Sequence, residues 1–193
     1  SERPIDWQRF APIATAAYLV GVFALLGRLM LGLHGGRRLC RRSAPVEDRM
    51  ILDTLARQVR SLGLRFTPAV AWCRQVAVPV VVGVLRPTIL LPLSLATGLA
   101  SDQVAAILTH ELAHIRRYDH LVDLAQRLIE AFLFFHPAVW WLSRRIRIER
   151  EHCCDDLVVA LGSTPIHYSE SLLRVAELSQ LQPGYEPVPG IVG

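Results

Sequence analysis

Two histidines and a glutamate lie close together in the second half of the chain, in the pattern H-E-x-x-H. His110, Glu111 and His114 form this pattern, and an apolar run at residues 104–108 precedes it. On an α-helix, residues four apart project from the same face, so both imidazoles can approach one metal ion. Glu111 follows the first histidine and is placed to act as a general base towards water at the metal. The pattern therefore predicts a zinc site with hydrolytic chemistry.

A catalytic zinc ion usually takes a third protein ligand and leaves its fourth position to water. The densest polar cluster in the second half of the chain is at residues 144–156, on a predicted helix. Glu151 is the simplest third ligand, and Asp155, one turn later on the same face, is expected to orient a ligating histidine. Three residues of this cluster remain as rival ligands: Glu149, His152 and Cys154.

Several other polar residues near the motif have more than one interpretation. Asp119 is expected to orient a ligating histidine or to begin the next helix, and Arg117 is interpreted as a helix cap or a surface ion pair. Cys153 and Cys154 are interpreted as small buried residues, as free cysteines commonly are. An additional donor to the oxyanion of the reaction is expected, with four candidates: Arg147, His152, Tyr118 and Tyr168.

The first part of the chain contains 18 residues without a charge, at positions 10–27. At 1.5 Å per residue this run spans about 27 Å, which is close to the thickness of a bilayer core. It predicts a transmembrane helix over about residues 10–33. The alternatives are a signal peptide, whose apolar core would be shorter, and a buried helix of a soluble core. Arginines are more numerous after the run than before it, which places the following domain in the cytoplasm.

The composition agrees with a membrane protein. Of the 193 residues, 52% are hydrophobic, and the mean hydropathy is +0.33. The net charge is +4, but the arginines cluster beside the apolar helix, where they act as topology signals. No nucleic-acid partner is therefore expected. The four cysteines include the neighbours Cys153 and Cys154 and form no C-x-x-C pattern, which predicts reduced thiols on a cytoplasmic face.

Between the apolar helix and the motif, the sequence predicts one helix and three strands. The helix begins at Pro45 and stops at Gly63, and the strands occupy residues 69–72, 78–85 and 88–91. Pro79 cannot donate to a strand ladder, so its strand is expected at a sheet edge or to be irregular at this residue. An edge strand beside the site could bind an extended peptide, or the sheet could simply cover the active helix. Ser101 is the predicted N-cap of that active helix.

After the motif, the sequence predicts an antiparallel helical hairpin over residues 119–135 and 137–161. Hydropathy alone could indicate a second membrane span, but polar residues at positions 123–130 oppose it. A span would also put His114 and Glu151 on opposite sides of the bilayer. The aromatic tip at residues 132–141 is expected at the membrane interface or in the core. A further helix begins at Thr164-Pro165, and a Pro/Gly-rich linker follows from residue 182.

Five stretches together resemble the BlaR/MecR-type integral-membrane zinc metallopeptidases, the protease modules of β-lactam sensor-transducers. The stretches are H-E-L-A-H at residues 110–114, Arg117-x-Asp119, His136-Pro137-x-Val139-Trp140, Glu151-x-x-Cys154-Asp155, and G-V-L-R-P-T-I-L-L-P at residues 83–92. The resemblance covers roughly residues 10–180. It implies a gluzincin-like fold related to the Ste24/HtpX type, with zinc ligands His110, His114 and Glu151. It implies Glu111 as the catalytic base.

We therefore expect a mainly helical α+β protein with three parts. These are an N-terminal segment at residues 1–34 with the transmembrane helix, a zinc metallopeptidase domain at 35–182, and a linker or tail at 183–193. The expected function is a membrane-bound zinc endopeptidase that cleaves a cytoplasmic regulator such as a repressor in response to a signal. The alternatives are a non-catalytic membrane scaffold that transmits a signal, and a membrane-anchored DNA-binding module.

The expected partners are a protein or peptide substrate and the lipid bilayer. A longer parent chain could add membrane spans or a sensor domain. No penicillin-binding sensor domain with its S-x-x-K pattern is recognised in this sequence. An antibiotic-sensing role is therefore not inferred from the resemblance.

Overall fold

The structure is a computed structural model that describes residues 7–96 and 100–180, so the predicted tail at residues 183–193 lies outside it. Within these residues the chain is mainly helical with a small sheet, as predicted. The elements follow in this order: α1 (Trp7–Arg42), β1 (Ala44–Pro45), α2 (Arg49–Ser61), β2 (Ala69–Cys73), β3 (Val80–Val82), β4 (Thr88–Pro92), a 3₁₀ turn (Leu93–Leu95), α3 (Ser101–Arg116), α4 (Asp119–Phe132), α5 (Pro137–Ala160) and α6 (Pro165–Gln180).

Helix α1 carries the apolar segment that was predicted to cross a membrane. From Phe10 to Arg42 it is long and apolar enough to span a bilayer, and only 6% of its most apolar 18-residue window is buried. A helix that is apolar on all sides is either buried in a core or placed in lipid, and this exposure argues against a soluble core. The helix continues without a break past residue 34, and Leu39 near its end packs on the sheet.

The sheet is mixed, with the strand order β1-β2-β4-β3. Strands β2 and β4 are parallel, whereas β1 and β3 pair antiparallel with their neighbours. β3 lies at an edge, as Pro79 predicted, but it ends at Val82 and is shorter than the predicted 78–85. Gly83 ends it with φ +107°, where a Cβ would lie 2.6 Å from the Arg86 carbonyl oxygen. The turn therefore requires glycine.

The predicted start of the second helix at Pro45 is wrong. Pro45 belongs to β1 and pairs with Ala71, at a sheet edge where a missing N–H is tolerated. Asp48 is the N-cap of α2, and its carboxylate accepts a hydrogen bond of 2.8 Å from the Met50 N–H. The end of α2 agrees with the prediction, because Gly63 follows it at φ +65°.

Helix α3 is the central element of the fold. Leu108, Leu112 and Ala113 are completely buried, and the helix packs against α2, α5, α6 and the sheet. The prediction of Ser101 as its N-cap is wrong by one residue. Ala100 has the extended conformation of an N-cap, and Ser101 is the first helical residue. The Gln103 side chain accepts a hydrogen bond of 3.1 Å from the Ala100 N–H, which satisfies that donor instead.

Helices α4 and α5 form the predicted antiparallel hairpin. Gln126 on α4 donates a hydrogen bond of 3.1 Å to the Ser143 carbonyl oxygen on α5. α4 ends at Phe132, three residues before the predicted end, because residues 133–136 form a tight turn closed by the His136 N–H and the Leu133 carbonyl oxygen. Pro137 then begins α5, which returns towards α3.

Candidate metal centre

Helix α3 presents the two histidines of the motif side by side. The Nε2 atoms of His110 and His114 lie 3.2 Å apart, and their rings are nearly perpendicular, with centroids 4.8 Å apart. Glu111, between them in sequence, is 7% exposed and lines the same cleft. The i, i+4 spacing of the histidines therefore produces the shared face that it predicted.

Helix α5 brings Glu151 to the two imidazoles. Its Oε2 lies 3.6 Å from Nε2 of His110 and 3.8 Å from Nε2 of His114, and the three donor groups fall within 4.8 Å of one another. With zinc–ligand bonds of about 2.0–2.1 Å, ligand atoms at a tetrahedral ion are separated by about 3.3 Å. The imidazole pair is already near this separation, and a small movement of the 57% exposed Glu151 side chain would complete the set.

The rival ligands are placed differently. Glu149 forms an exposed ion pair with Arg145 at 3.1 Å, and His152 is exposed on the neighbouring face of α5. Cys154 is completely buried, and its Sγ lies 3.3 Å from the opposite ring nitrogen of His114, Nδ1. Of these candidates, only Glu151 has an oxygen near both Nε2 atoms.

Tyr168 and Asp155 both contact Nδ1 of His110. The Tyr168 hydroxyl donates to Oδ1 of Asp155 at 2.6 Å and lies 2.8 Å from Nδ1 of His110. The same Asp155 oxygen is 3.3 Å from Nδ1. Since the hydroxyl proton is committed to Asp155, Nδ1 must carry the imidazole proton and donate it to this pair. The lone pair of His110 is therefore on Nε2.

Asp119 contacts Nδ1 of His114 in a similar arrangement. Its Oδ2 lies 2.9 Å from Nδ1 of His114, which places the imidazole proton on that nitrogen. Asp119 is also the first residue of α4, so both interpretations of it from the sequence apply. Arg117 is the C-cap of α3 and lies 3.7 Å from the Asp119 carboxylate. Arg150 donates to the Asp119 carbonyl oxygen at 2.8 Å.

The electrostatics follow from burial and from these contacts. Burial raises the pKa of Glu111, and the two neighbouring imidazoles only partly oppose this. Burial would lower the pKa of His110, but the carboxylates of Glu151, Glu111 and Asp155 outweigh it, so the pKa of His110 is raised. The neighbouring His110 imidazole lowers the pKa of Glu151 against the effect of burial. The two helices thus place negative charge around a pair of nitrogen lone pairs.

A second group of potential donors, His114, Asp119 and Cys154, lies directly behind the first. It would have to use Nδ1 of His114, which already donates to Asp119. Burial, followed by the neighbouring Asp119 carboxylate, raises the pKa of Cys154, so its thiol keeps its proton. Cys154 does not line the cleft, whereas all three members of the first group do. We interpret the second group as the support of His114, in agreement with the predicted buried role of Cys154.

The site opens into a cleft of about 1100 Å³. Its walls are the C-terminal part of α1, strand β3 with the turn that follows it, the first part of α4, and Arg150 and Glu151 on α5. The edge strand β3 therefore lies in the same cleft as Glu111. The residues that line the cleft also include Arg37 and Arg41 of α1 and Arg86 after β3.

Two contributions to the site were not recognised in the sequence. Tyr168 was a candidate oxyanion donor, but its hydroxyl is engaged behind His110. The sequence pattern indicates no role for Arg150, although this residue, one position before Glu151, connects α5 to α4. The hairpin prediction contained a signal for it, because antiparallel pairing brings that part of α5 beside the start of α4. Tyr118, another candidate, is 61% exposed beyond the end of α3.

A buried glutamate between two helix-borne histidines, with a carboxylate from a second helix, defines the class of H-E-x-x-H metallopeptidase-type sites. Comparison with known proteins agrees with this class. Residues 2–187 match the family described as BlaR1 peptidase M56. The chain belongs to this family, which confirms the resemblance found in the sequence.

Two relatives illustrate the similarity. The regulatory protein BlaR1 of Bacillus licheniformis is 33% identical over 104 residues, which are 53% of this chain and 17% of that protein. The methicillin resistance mecR1 protein of Staphylococcus aureus is 24% identical over 102 residues, 52% of this chain and 17% of the relative. The chain thus matches about a sixth of the length of each relative.

Proposed function

We propose that this chain is a membrane-bound zinc endopeptidase, with His110, His114 and Glu151 as ligands. The observation that carries the proposal is the pair of Nε2 atoms 3.2 Å apart, each on a ring whose proton is held on Nδ1. Two nitrogen lone pairs facing each other at this distance repel unless a cation or a shared proton lies between them. The nearby Glu151 carboxylate and the acceptors behind each ring favour a divalent cation.

The donor set fits zinc, since two imidazoles and one carboxylate leave a fourth position open to the cleft. Bound there, Zn²⁺ would activate water and polarise a peptide carbonyl. Glu111 lines the same cleft, and its buried carboxylate with a raised pKa is suited to accept the proton of the attacking water. Glu111 then returns this proton to the leaving amine. Asp119, Asp155 and Tyr168 keep both imidazoles in the tautomer that presents Nε2.

The substrate is proposed to be a peptide segment in extended form. Among the residues that the structure describes, the edge strand β3 pairs only with β4, and its residues line the cleft. A peptide added to this edge would be held by main-chain hydrogen bonds, and its scissile carbonyl could approach Glu111. By analogy with relatives named as a regulatory protein and a resistance protein, we infer a cytoplasmic regulator, such as a repressor, as the natural substrate.

The proposed placement is a bilayer-spanning α1 with the metallopeptidase domain, residues 35–182, on the cytoplasmic face. The support is the exposed apolar surface of α1 and the arginines that follow it. A gluzincin-like relation to Ste24/HtpX-type proteases belongs to the same proposal. A non-catalytic signal-transducing scaffold is the second candidate, but it would have no use for a buried carboxylate beside two paired imidazoles.

The test measures zinc content and peptide cleavage of the chain in lipid vesicles. Glu111→Gln should keep its zinc and lose about 10²–10⁴-fold in cleavage, because only the proton acceptor is removed. Glu151→Gln should lose zinc, and Glu149→Gln, an exposed neighbour on α5, is the matched control and should lose neither. Equal cleavage by wild type and Glu111→Gln would exclude the mechanism. Full zinc occupancy in Glu151→Gln would exclude the third ligand.

A further inference from the structure

The tip of the α4–α5 hairpin has a large apolar surface that the described part of the chain leaves uncovered. Six of its exposed side chains are Ile129, Phe132, Leu133, Phe135, Trp141 and Leu142. Contiguous apolar surface of this kind is rare on soluble monomers and indicates a partner or a membrane.

The hairpin tip is docked on α1. The Tyr18 hydroxyl donates a hydrogen bond of 3.1 Å to the Phe132 carbonyl oxygen, and the Tyr18 ring stacks on Phe134 with centroids 6.0 Å apart. One turn further along α1, Gly21 lies so close to the Phe134 ring that a Cβ there would overlap it. The tip therefore lies level with Tyr18 and Gly21.

This level is the middle of the apolar part of α1. The uncharged run covers residues 10–27. With a rise of 1.5 Å per residue, Tyr18 is about 12 Å and Gly21 about 17 Å from the start of a run that is about 27 Å long. If this run spans the hydrocarbon core, the hairpin tip is near the centre of the bilayer.

The positions of the charged residues agree with this depth. On α5 the first exposed charges after the tip are Arg144 and Arg145, about 10–12 Å below Pro137 along the helix. Arg28 on α1 lies about 15 Å below Tyr18, at a similar level. On α4, Arg127 and Asp123 pair at 2.7 Å and face the cleft rather than the apolar surface. Between residues 128 and 142 the only formal charge is Glu130, which is half-buried.

Several polar groups of the tip have hydrogen-bond partners within the protein, as lipid requires. The Trp140 indole N–H donates to the Phe134 carbonyl oxygen at 2.8 Å. The His136 N–H donates to the Leu133 carbonyl oxygen at 2.9 Å, and the Phe132 carbonyl oxygen accepts from Tyr18. These internal hydrogen bonds lower the free-energy cost of placing the tip in lipid.

We propose that the α4–α5 hairpin is a re-entrant membrane element that enters from the side of the metal centre and ends near the bilayer midplane beside α1, with lipid acyl chains covering its outer face. The proposal rests on the proposed bilayer-spanning role of α1. Glu151 follows Pro137 by 14 residues, about 21 Å along α5, whereas the bilayer core extends about 15 Å from its centre. The metal centre therefore lies just outside the hydrocarbon boundary, and the cleft accepts peptide bonds close to the membrane surface.

The test is depth-dependent quenching of single tryptophans in reconstituted phosphatidylcholine vesicles. One variant keeps only Trp141, which is 69% exposed at the tip, and has the other three tryptophans replaced by phenylalanine. Two further variants, with all four replaced, carry Phe23→Trp on α1 or Ile166→Trp on α6. Both of these positions are exposed, but α6 lies beyond the far end of α5. The quenchers are lipid brominated in the middle of its acyl chains and aqueous iodide.

We expect brominated lipid to remove most of the fluorescence of Trp141 and of Phe23→Trp, and iodide to quench only Ile166→Trp. Quenching of Trp141 by iodide, with Phe23→Trp quenched by lipid, would overturn the re-entrant hairpin but leave the spanning α1 intact. Protection of Trp141 from both quenchers would show that protein covers the tip, which also overturns the proposal. Iodide quenching of Phe23→Trp would exclude the spanning helix itself.

Discussion

The hydroxyl of Tyr168 lies 2.8 Å from Nδ1 of His110, although the two residues are 58 positions apart in the chain. This contact joins α6 to the motif helix and makes α6 part of the candidate metal centre. Burial and the Asp155 carboxylate raise the pKa of Tyr168, so the hydroxyl keeps its proton and remains a donor to Asp155. Tyr168 therefore acts as a positioning residue for the tautomer of His110.

Replacing Tyr168 by phenylalanine should weaken zinc binding by about tenfold, the lower end of the range for residues that orient a metal ligand. Asp155 remains 3.3 Å from Nδ1 and limits the loss. The measurement is a competitive zinc titration, with Tyr118→Phe as control because the Tyr118 side chain is exposed and does not line the cleft. A purely structural role for Tyr168 would lower the thermal stability and leave the zinc affinity of the folded protein unchanged.

Zinc binding should release a proton from His110 at pH values just above 6.5. Burial would lower the pKa of His110, but Glu151, Glu111 and Asp155 raise it above its ordinary value of 6.5. Just above pH 6.5 a larger fraction of this imidazole is therefore protonated in the metal-free protein than in an ordinary histidine, and zinc must displace this proton. Calorimetric titration in buffers of different ionisation enthalpy counts the protons released. Apparent affinity that does not rise with pH in this range would contradict the prediction.

The raised pKa of His110 also makes the stability of the metal-free fold depend on pH. A histidine with a raised pKa contributes stability that is complete below pH 6.5 and is lost as the pH rises through its folded-state pKa. His120, whose burial lowers its pKa, has the opposite effect at lower pH, because its contribution is complete above pH 6.5 and is lost as the pH falls. Metal-free protein should therefore lose the His110 contribution towards alkaline pH, whereas zinc-loaded protein should not. Thermal unfolding of both forms across neutral pH measures the difference, and parallel curves would contradict it.

Arg150 should be needed to hold Glu151 in place. Its guanidinium donates to the Asp119 carbonyl oxygen at 2.8 Å and lies 3.7 Å from the Asp123 carboxylate, and its side chain is only 12% exposed. Lysine cannot reach both oxygens, so Arg150→Lys should lower the free energy of unfolding by about 1–3 kcal/mol and weaken zinc binding. Arg147→Lys, one turn earlier on α5, is the matched control. Equal losses in both variants would show that the effect is not specific to Arg150, and no loss in Arg150→Lys would show that a positive charge alone is enough at this position.

The part of the site that depends on local spacing could be predicted from the sequence. His110 and His114 share a face because one helical turn separates them, and the neighbours Asp119 and Asp155 were named on the same kind of argument. The role of Tyr168 could not be derived in this way. Its distance from His110 depends on how α6 crosses α3, and helical periodicity does not specify that packing.

The errors at element ends have a similar cause. Proline at position 45 and serine at position 101 are good local signals for a helix start. At the first, pairing of β1 with β2 and the cap formed by Asp48 delay the helix to Arg49. At the second, the Gln103 side chain bonds the N–H of Ala100, so the start moves one residue earlier. In both places a contact made by a neighbour overrides the propensity of the residue itself.

The docking of the hairpin on α1 should depend on the small size of Gly21. A side chain there must displace the Phe134 ring, whereas Gly27, two turns later on the same helix, has no atom within 4 Å of a Cβ position. Gly21→Leu should therefore lower stability by about 1–3 kcal/mol through overpacking. Gly27→Leu should be neutral or stabilising, because glycine costs a helix up to about 1 kcal/mol. Thermal unfolding in detergent micelles compares the two variants. Equal shifts of the unfolding temperature in both variants would show that α1 and the hairpin tip do not pack as described. The two leucines differ only in the atoms that they would contact.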